Sequence, residues 1–333
     1  MPSIRDYITC WIRERLRTEF ILRPWMAARF GLTWRDICNR IDDLRTGPDD
    51  ISKFVNAPDS SYLKAAQLFP AVGGRILRQA MIEYPFRLQS ISTTQGAASP
   101  EISVIIPFVG TDRLTQLQTV LDGFYAQDHT SFEVILVQGS PAETNPLKLT
   151  SFVRSIYLPE PPGGRFNKSR LFNAGVRESR APYMLLHDAD ILVPHNFVKT
   201  CHSLLKQGWE AFCPIRFLFY LSTKQTAELM SLPEAETLPG EIAEIRQNFA
   251  GGSVAISRAA FDDIGGFDES FEGWGGEDVE FLHRARRKHF LSGSLMPALH
   301  LWHPPAAGKN QQHPNLRKAT LQCAAASSNG GCS

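Results

Sequence analysis

From Ile102 onward the sequence alternates short, almost continuously apolar runs with stretches of helical periodicity, and this alternation leaves few architectures open. The runs are Ile102 to Ile106, Phe132 to Val137, Ser155 to Leu158 and Tyr183 to His187; Leu114 to Phe124 and Lys168 to Ser179 carry the helical pattern between them. Strands apolar on both faces need cover on both faces, so the reading is an α/β fold: Rossmann-like, with a mainly parallel central sheet and helices on each side. In such sheets ligands bind beyond the carboxyl ends of the strands. Pro107-Phe108, Gln138-Gly139 and Asp188-Ala189-Asp190 are therefore expected to project toward one crevice.

The chain has 333 residues, more than one domain usually needs, and the pattern before Ile102 is different. Ile8, Ile12, Leu16 and Phe20 recur every fourth residue, as on one face of an amphipathic helix. Helix-compatible sequence continues from Trp34 to Leu44 and from Tyr62 to Ile82, with breaks expected at Pro24, Pro48, Pro70 and Gly73-Gly74. The polar, aperiodic Ser90 to Pro100 reads as a linker. The expected organisation is a small helical accessory domain with linker over residues 1–95, the α/β domain over 96–318, and a disordered tail over 319–333, where core-forming residues run out. The apolar face of the first helix travels with Arg5, Arg13, Arg15, Arg17, Arg23 and Arg29, so a peripheral membrane or partner-protein contact is one expectation. Asp6, Glu14 and Glu19 dilute that charge and favour packing on the rest of the chain.

A formal net charge of +1 argues against a nucleic-acid partner and means that an anionic substrate must be held by local charge. The six cysteines form no CxxC pair, which fits free thiols in a reducing compartment. No apolar run of about 18 residues exists, and Ile4-Arg5-Asp6-Tyr7 is no secretion signal; the expectation is a cytoplasmic protein, peripheral at most to the inner face of the membrane.

Three stretches carry chemistry. Asp188-Ala189-Asp190 follows an apolar strand; in extended chain both carboxylates would face one ligand while Ala189 packs inward, a place for Mg²⁺ or Mn²⁺. Gly273-Trp274-Gly275-Gly276-Glu277-Asp278 is a glycine-rich turn entering a helix. Ordinary helix-start acids would account for Glu277 and Asp278, but not for three glycines around a tryptophan, which allow close backbone approach to a ligand and offer an aromatic face to a sugar ring. A carboxylate at a helix N-terminus is also expected to stay ionised at neutral pH, as a general base must. In His300-Leu301-Trp302-His303-Pro304-Pro305, two imidazoles three apart converge on one ion if the backbone turns there.

The order of these stretches, with Arg165-Phe166-Asn167-Lys168-Ser169-Arg170-Leu171-Phe172-Asn173-Ala174-Gly175 ahead of them and Phe249-Ala250-Gly251-Gly252-Ser253 between, resembles the β-1,4-galactosyltransferase family and the bacterial chondroitin-synthase-like family 2 transferases, over roughly Ile102 to Lys318. The polypeptide N-acetylgalactosaminyltransferases are more weakly similar. The resemblance implies a GT-A fold and a metal site of Asp190, His303 and His300, the last standing where the galactosyltransferases have methionine. It implies that Asp188 lies near the nucleotide ribose, that Pro107, Phe108, Phe166, Lys168 and Trp274 serve the donor, that Trp274, Gly276 and Glu277 serve the acceptor, and that Asp278 is the catalytic base with Glu277 beside it. Where those enzymes carry arginine, Lys168 keeps the charge and loses the planar fork. Many transferases of this fold also carry acids after the second strand, where Gln138 stands here.

The implied reaction is inverting, Mn²⁺- or Mg²⁺-dependent transfer of a hexose or N-acetylhexosamine, galactose-type favoured, from a UDP-sugar to a glycan, lipid-linked sugar or peptide. The alternatives are a retaining enzyme like the polypeptide transferases, which carry a glutamate-asparagine pair at Glu277-Asp278, and a non-catalytic nucleotide-sugar-binding module.

Overall fold

The computed structural model describes residues 2–46, 53–56, 61–89, 99–129, 131–139, 147, 149, 151–159, 165–232, 234–235, 237–248, 251–273, 275–304 and 314–329. Its main sheet has seven strands in the spatial order Phe290–Leu291, Ala211–Phe212, Ser253–Ser257, Tyr183–His187, Ile102–Phe108, Phe132–Gln138 and Val153–Tyr157. Ile102–Phe108 pairs in parallel with both Tyr183–His187 and Phe132–Gln138, and the latter in parallel with Val153–Tyr157. This is the expected Rossmann-like half, closed on its far side by the antiparallel strand Ser253–Ser257. All seven side chains of Ile102–Phe108 and of Phe132–Gln138 are buried, because helices cover both faces. The helix Lys168–Glu178 lies over these two strands so closely that a Cβ on Gly175 would fall 2.3 Å from the Ile105 side chain.

A second sheet of five strands, Ser61–Tyr62, Ile245–Gln247, Ile215–Tyr220, Met296–His300 and Ile191–Leu192, stands beside the first. Ile191 pairs with His300, so the chain leaving the main sheet after His187 runs straight into the second sheet. The turn at 188–190 thus lies where the two sheets meet. Together with the N-terminal helices this is the GT-A arrangement that the sequence implies.

Apart from a small cluster of Cys10, Ala65 and Leu68, the N-terminal region shares its core with the two sheets. Ser61–Tyr62 is an edge strand of the second sheet, and Ile21, Trp34, Ile37, Leu63, Val72, Ile76 and Leu77 share one apolar cluster with the strands of both sheets. The fully buried Arg216 guanidinium donates to the carbonyls of Arg35 and Ile37 and to the side chains of Gln247 and Asn248. A buried cation satisfied this way ties the N-terminal segment to the second sheet, since each lost partner leaves an unpaired donor.

Several local expectations are corrected. The stretch from Trp34 to Leu44 is a single 3₁₀ turn, Trp34–Asp36, followed by irregular chain and the strand Asp43–Thr46, because Thr33 and Asp36 close a capping box around so short a turn. Gly73-Gly74 does not break its helix, Pro70–Glu83. A Cβ at Gly73 would lie 1.9 Å from the Ile242 carbonyl oxygen and one at Gly74 2.1 Å from that of Gly240, so these glycines admit a neighbouring backbone. Residues 314–329, within and just ahead of the expected disordered tail, form a helix with Asn315 and Ala319 buried against the helix Glu277–Ala285. Its alanines favour helix, and a few contacts at its first turns suffice to dock it. Of the linker expected from Ser90 to Pro100, residues 90–98 lie outside the described residues.

Candidate active site

Two clusters of charge meet at the turn after His187. Residues 188–190 are a turn, not extended chain, so the two aspartates part company, while Ala189 packs into the core as expected. The Asp188 N–H donates to the Gly252 carbonyl across the adjacent strand at 2.9 Å, and the Leu301 N–H donates to the Asp190 carbonyl at 2.9 Å. These backbone bonds aim one carboxylate toward the Lys168 helix and the other toward the end of Met296–His300.

The first cluster centres on Lys168, the first residue of its helix, whose start is fixed by the Asn167 side chain accepting from the Arg170 N–H. Lys168 Nζ lies 2.8 Å from Asp188 Oδ1, 3.2 Å from Asp278 Oδ2 and 3.7 Å from Glu277 Oε1. Its side chain is only 14% exposed. Burial works against the ammonium, but Asp188, Asp278 and Glu277 outweigh it and hold the Lys168 pKa well above its ordinary value. Three carboxylates on one cation leave a net negative cluster. Burial pushes the Asp278 carboxyl up to about 7, with Glu277 and Asp188 acting in the same direction and Lys168 against them. Asp278 is therefore not the permanently ionised helix-start acid that the sequence suggests; it is poised to exchange a proton near neutrality, where a general base works best.

Glu277 and Asp278 are placed by the glycine turn ahead of the helix Glu277–Ala285. Gly273, Gly275 and Gly276 all have positive φ, of 81°, 84° and 92°. At Gly276 a Cβ would also fall 2.5 Å from the Asn315 carbonyl oxygen, while Asn315 Nδ2 donates to the Glu272 carbonyl. The C-terminal helix thus holds the turn that aims the acids. Gly273 N–H donates to the Phe166 carbonyl at 2.7 Å, joining this turn to the entry of the Lys168 helix. Trp274, expected at both donor and acceptor, lies outside the described residues.

The second cluster is Asp190 with His300 and His303, whose ligand atoms all lie within 4.8 Å of one another. His303 Nε2 is 3.1 Å from Asp190 Oδ2, and the His300 ring stacks on Tyr220 at 4.4 Å and faces His303 at 5.2 Å. Burial would raise the Asp190 pKa, but the hydrogen bond from His303 and the charges of His300, Arg113 and His303 hold the carboxylate well below its usual range. One carboxylate and two imidazoles, inward-facing and preset, fit a divalent cation that accepts both oxygen and nitrogen, Mn²⁺ more readily than Mg²⁺. Arg113 was not foreseen from sequence: its Nη1 lies 2.7 Å from Asp190 Oδ2. It ends the loop after Ile102–Phe108, and the sequence's only hint is a cation at the carboxyl end of the first strand.

Other expected residues take quieter places. Phe108 is 2% exposed and belongs to the core, and Pro107 is buried in the same strand, because both strand faces there are covered. Gln138 is buried, its amide donating to Ser155 Oγ at 2.6 Å inside the sheet. A second His and acid group, Glu101, His129 and His202, sits at the amino end of the same strands. Lys206 lies 3.6 Å from Glu101; burial lowers the His129 pKa, with Glu101 acting against it and Lys199 and Lys206 with it.

Comparison with known proteins gives two family matches. Residues 103–265 match the family described as "Glycosyl transferase family 2", and residues 243–296 that described as "N-terminal domain of galactosyltransferase". The first of these matches spans just under half of the chain. The chain is similar to human "Chondroitin sulfate N-acetylgalactosaminyltransferase 2", 30% identical over 149 residues, 41% of this chain and 27% of that protein. It is also similar to "Validoxylamine A glucosyltransferase" of Streptomyces hygroscopicus subsp. limoneus, 25% identical over 270 residues, 70% of this chain and 58% of that one. The chain spans about a quarter of the length of the chondroitin relatives that it matches. Among solved structures, a mannosyltransferase from Pyrobaculum calidifontis in complex with GDP-Man and Mn²⁺ aligns at TM-score 0.46 and 16% identity, covering 77% of this chain and 71% of its own. The first match takes in Lys168, Asp188 and Asp190, and the second takes in Glu277 and Asp278.

Proposed function

We propose that this domain transfers a hexose or N-acetylhexosamine, galacto-configured by preference, from a UDP-sugar to a hydroxyl of a glycan or glycoconjugate, with inversion at the anomeric carbon. One observation carries the reading: two aspartates two residues apart serve two different clusters, a cation-ready donor set at Asp190 and a proton-exchanging set at Asp278 linked to Asp188 through Lys168. The named relatives support the class of sugar, since their names specify N-acetylgalactosamine and glucose transfer.

In this account the acceptor hydroxyl gives its proton to an Asp278 oxygen as the hydroxyl oxygen bonds to the anomeric carbon. The bond from that carbon to the diphosphate oxygen breaks, and its electron pair leaves with UDP. Lys168 keeps Asp278 in place and, by opposing the raising effect of Glu277 and Asp188, keeps the ionised form accessible at neutral pH. Glu277, with an oxygen within reach of the same ammonium, hydrogen-bonds acceptor hydroxyls. Asp190, His300 and His303 would hold Mn²⁺ or Mg²⁺, which when bound supplies positive charge for the leaving diphosphate.

Inversion is favoured over retention because Asp278, its pKa pushed up to about 7, offers a carboxylate where the retaining polypeptide transferases carry asparagine. Proton NMR of the product of an α-linked donor tests this: a β-anomeric signal is expected, and an α signal would overturn the inverting assignment.

A further inference from the structure

Residues Ile4–Ile21 form one continuous helical run, with a wider π turn at Trp11–Arg15 between α-helical ends. Its inward side is not the stripe that the periodicity marks. Cys10, Thr18 and Ile21 are the buried positions, Cys10 packs with Ala65 and Leu68, and the Tyr7 ring meets Phe69 at 5.8 Å. The fourfold stripe is left in solvent: Ile4 is 80%, Ile8 56%, Ile12 55% and Leu16 48% exposed. An α-helix would let a fourfold repeat drift around its axis, and the wider π turn takes some of that drift back, keeping the stripe on one side. Trp11 is exposed as well, and the stripe continues through Phe20 to Phe30, whose rings lie 5.6 Å apart, with Phe30 exposed.

The charge around this face is one-sided. Arg5, Arg13, Arg23 and Arg29 are exposed, while the Arg17 guanidinium donates to the Cys38 sulfur and the Asp36 carbonyl. The acids of the same segment are held elsewhere: Asp6 closes the capping box with Ser3, Glu14 lies against Cys10, and Glu19 pairs with Arg15 and Arg75. A second copy of the chain on this face would set arginines against arginines. An apolar stripe edged by tryptophan and uncompensated arginine matches the boundary of an anionic bilayer. We propose that this helix docks the protein on an anionic lipid surface, with Ile4, Ile8, Trp11, Ile12 and Leu16 at the acyl boundary and the arginines among the headgroups. None of the helices among the described residues is long and apolar enough to cross a membrane, so the contact is peripheral.

The test is co-sedimentation of the full chain with vesicles of phosphatidylcholine alone and of phosphatidylcholine with phosphatidylglycerol. Binding is expected on the anionic vesicles, weakening as salt rises. Each arginine near the surface contributes about fivefold, so Arg5→Gln with Arg13→Gln should weaken binding on the order of 25-fold. Ile8→Glu with Ile12→Glu should abolish it and leave circular dichroism and thermal melting unchanged, since both side chains face solvent. Should that pair unfold the protein, the arginine pair still decides, because its side chains lie at the surface. The proposal is overturned if the chain stays in the supernatant with anionic vesicles, if it binds both vesicle types equally at all salt concentrations, or if sedimentation velocity shows a dimer that Ile12→Glu dissociates.

Discussion

The ammonium of Lys168 stands 3.2 Å from the carboxylate of Asp278, and this contact opposes the rise in proton affinity that burial imposes on the proposed base. Removing the cation by Lys168→Met leaves Asp188, Glu277 and Asp278 facing one another unneutralised. The midpoint of the rising limb of the pH–rate profile should move upward by about 1 unit or more. Stability should fall by about 3 kcal/mol, as expected when one side of a buried pair is deleted. Rate profiles and urea melts of the two proteins check both effects.

Asp278 acts as a base only when ionised, so turnover should rise with pH through about 7. Asp278→Asn should lower kcat by about 10² to 10⁴ while UDP affinity is kept. The stability argument runs the other way. The folded-state pKa lies above the ordinary 3.8, so the folded state favours the protonated acid; this contribution is complete below 3.8 and lost as pH rises through about 7. The Asn variant should therefore gain in Tm relative to wild type on going from acidic to mildly alkaline pH.

Asp190→Ala should remove Mn²⁺-dependent UDP binding, measured by calorimetry with and without the metal. Arg113→Ala should do the reverse to the metal itself: with a competing positive charge gone from Asp190, Mn²⁺ should bind roughly tenfold more tightly. Unchanged Mn²⁺ affinity in both variants would remove Asp190 from the metal site.

Gly276→Ala places a side chain at φ +92° and 2.5 Å from the Asn315 carbonyl oxygen. Left-handed strain and overpacking should together cost about 2 to 4 kcal/mol. The helix at 314–329 should loosen with it, which hydrogen exchange of that segment would register.

Much of this was legible in the sequence because it rests on local pattern. The strand Tyr183–His187 and the helix starting at Lys168 follow from apolar continuity and from helical periodicity. The grouping of Asp190 with two histidines from the far end of the chain was legible only through the order of motifs, since spacing alone cannot report a pairing such as Ile191 with His300. What escaped was set by tertiary contact. The glycines at 73 and 74 read as breakers until the backbone they admit is known. The fourfold N-terminal stripe reads as core until the helix buries a different side at Cys10 and Ile21. The divergence of Asp188 from Asp190 depends on a turn fixed by Gly252 and Leu301, one of them more than a hundred residues away. Burial likewise reverses the ionisation expected of Asp278 from its helix position alone.

The central claim is that one chain uses Asp190 for a cation and Asp278 for a proton in sugar transfer. Release of UDP from a panel of UDP-sugars, with Mn²⁺ and a set of glycan acceptors, tests it most directly in the wild-type, Asp278→Asn and Asp190→Ala proteins. The account predicts acceptor-dependent UDP release by the wild type, loss of it after chelation and in Asp190→Ala, and loss in Asp278→Asn with donor binding intact. Full activity of Asp278→Asn, or the absence of UDP release with every donor, would contradict it.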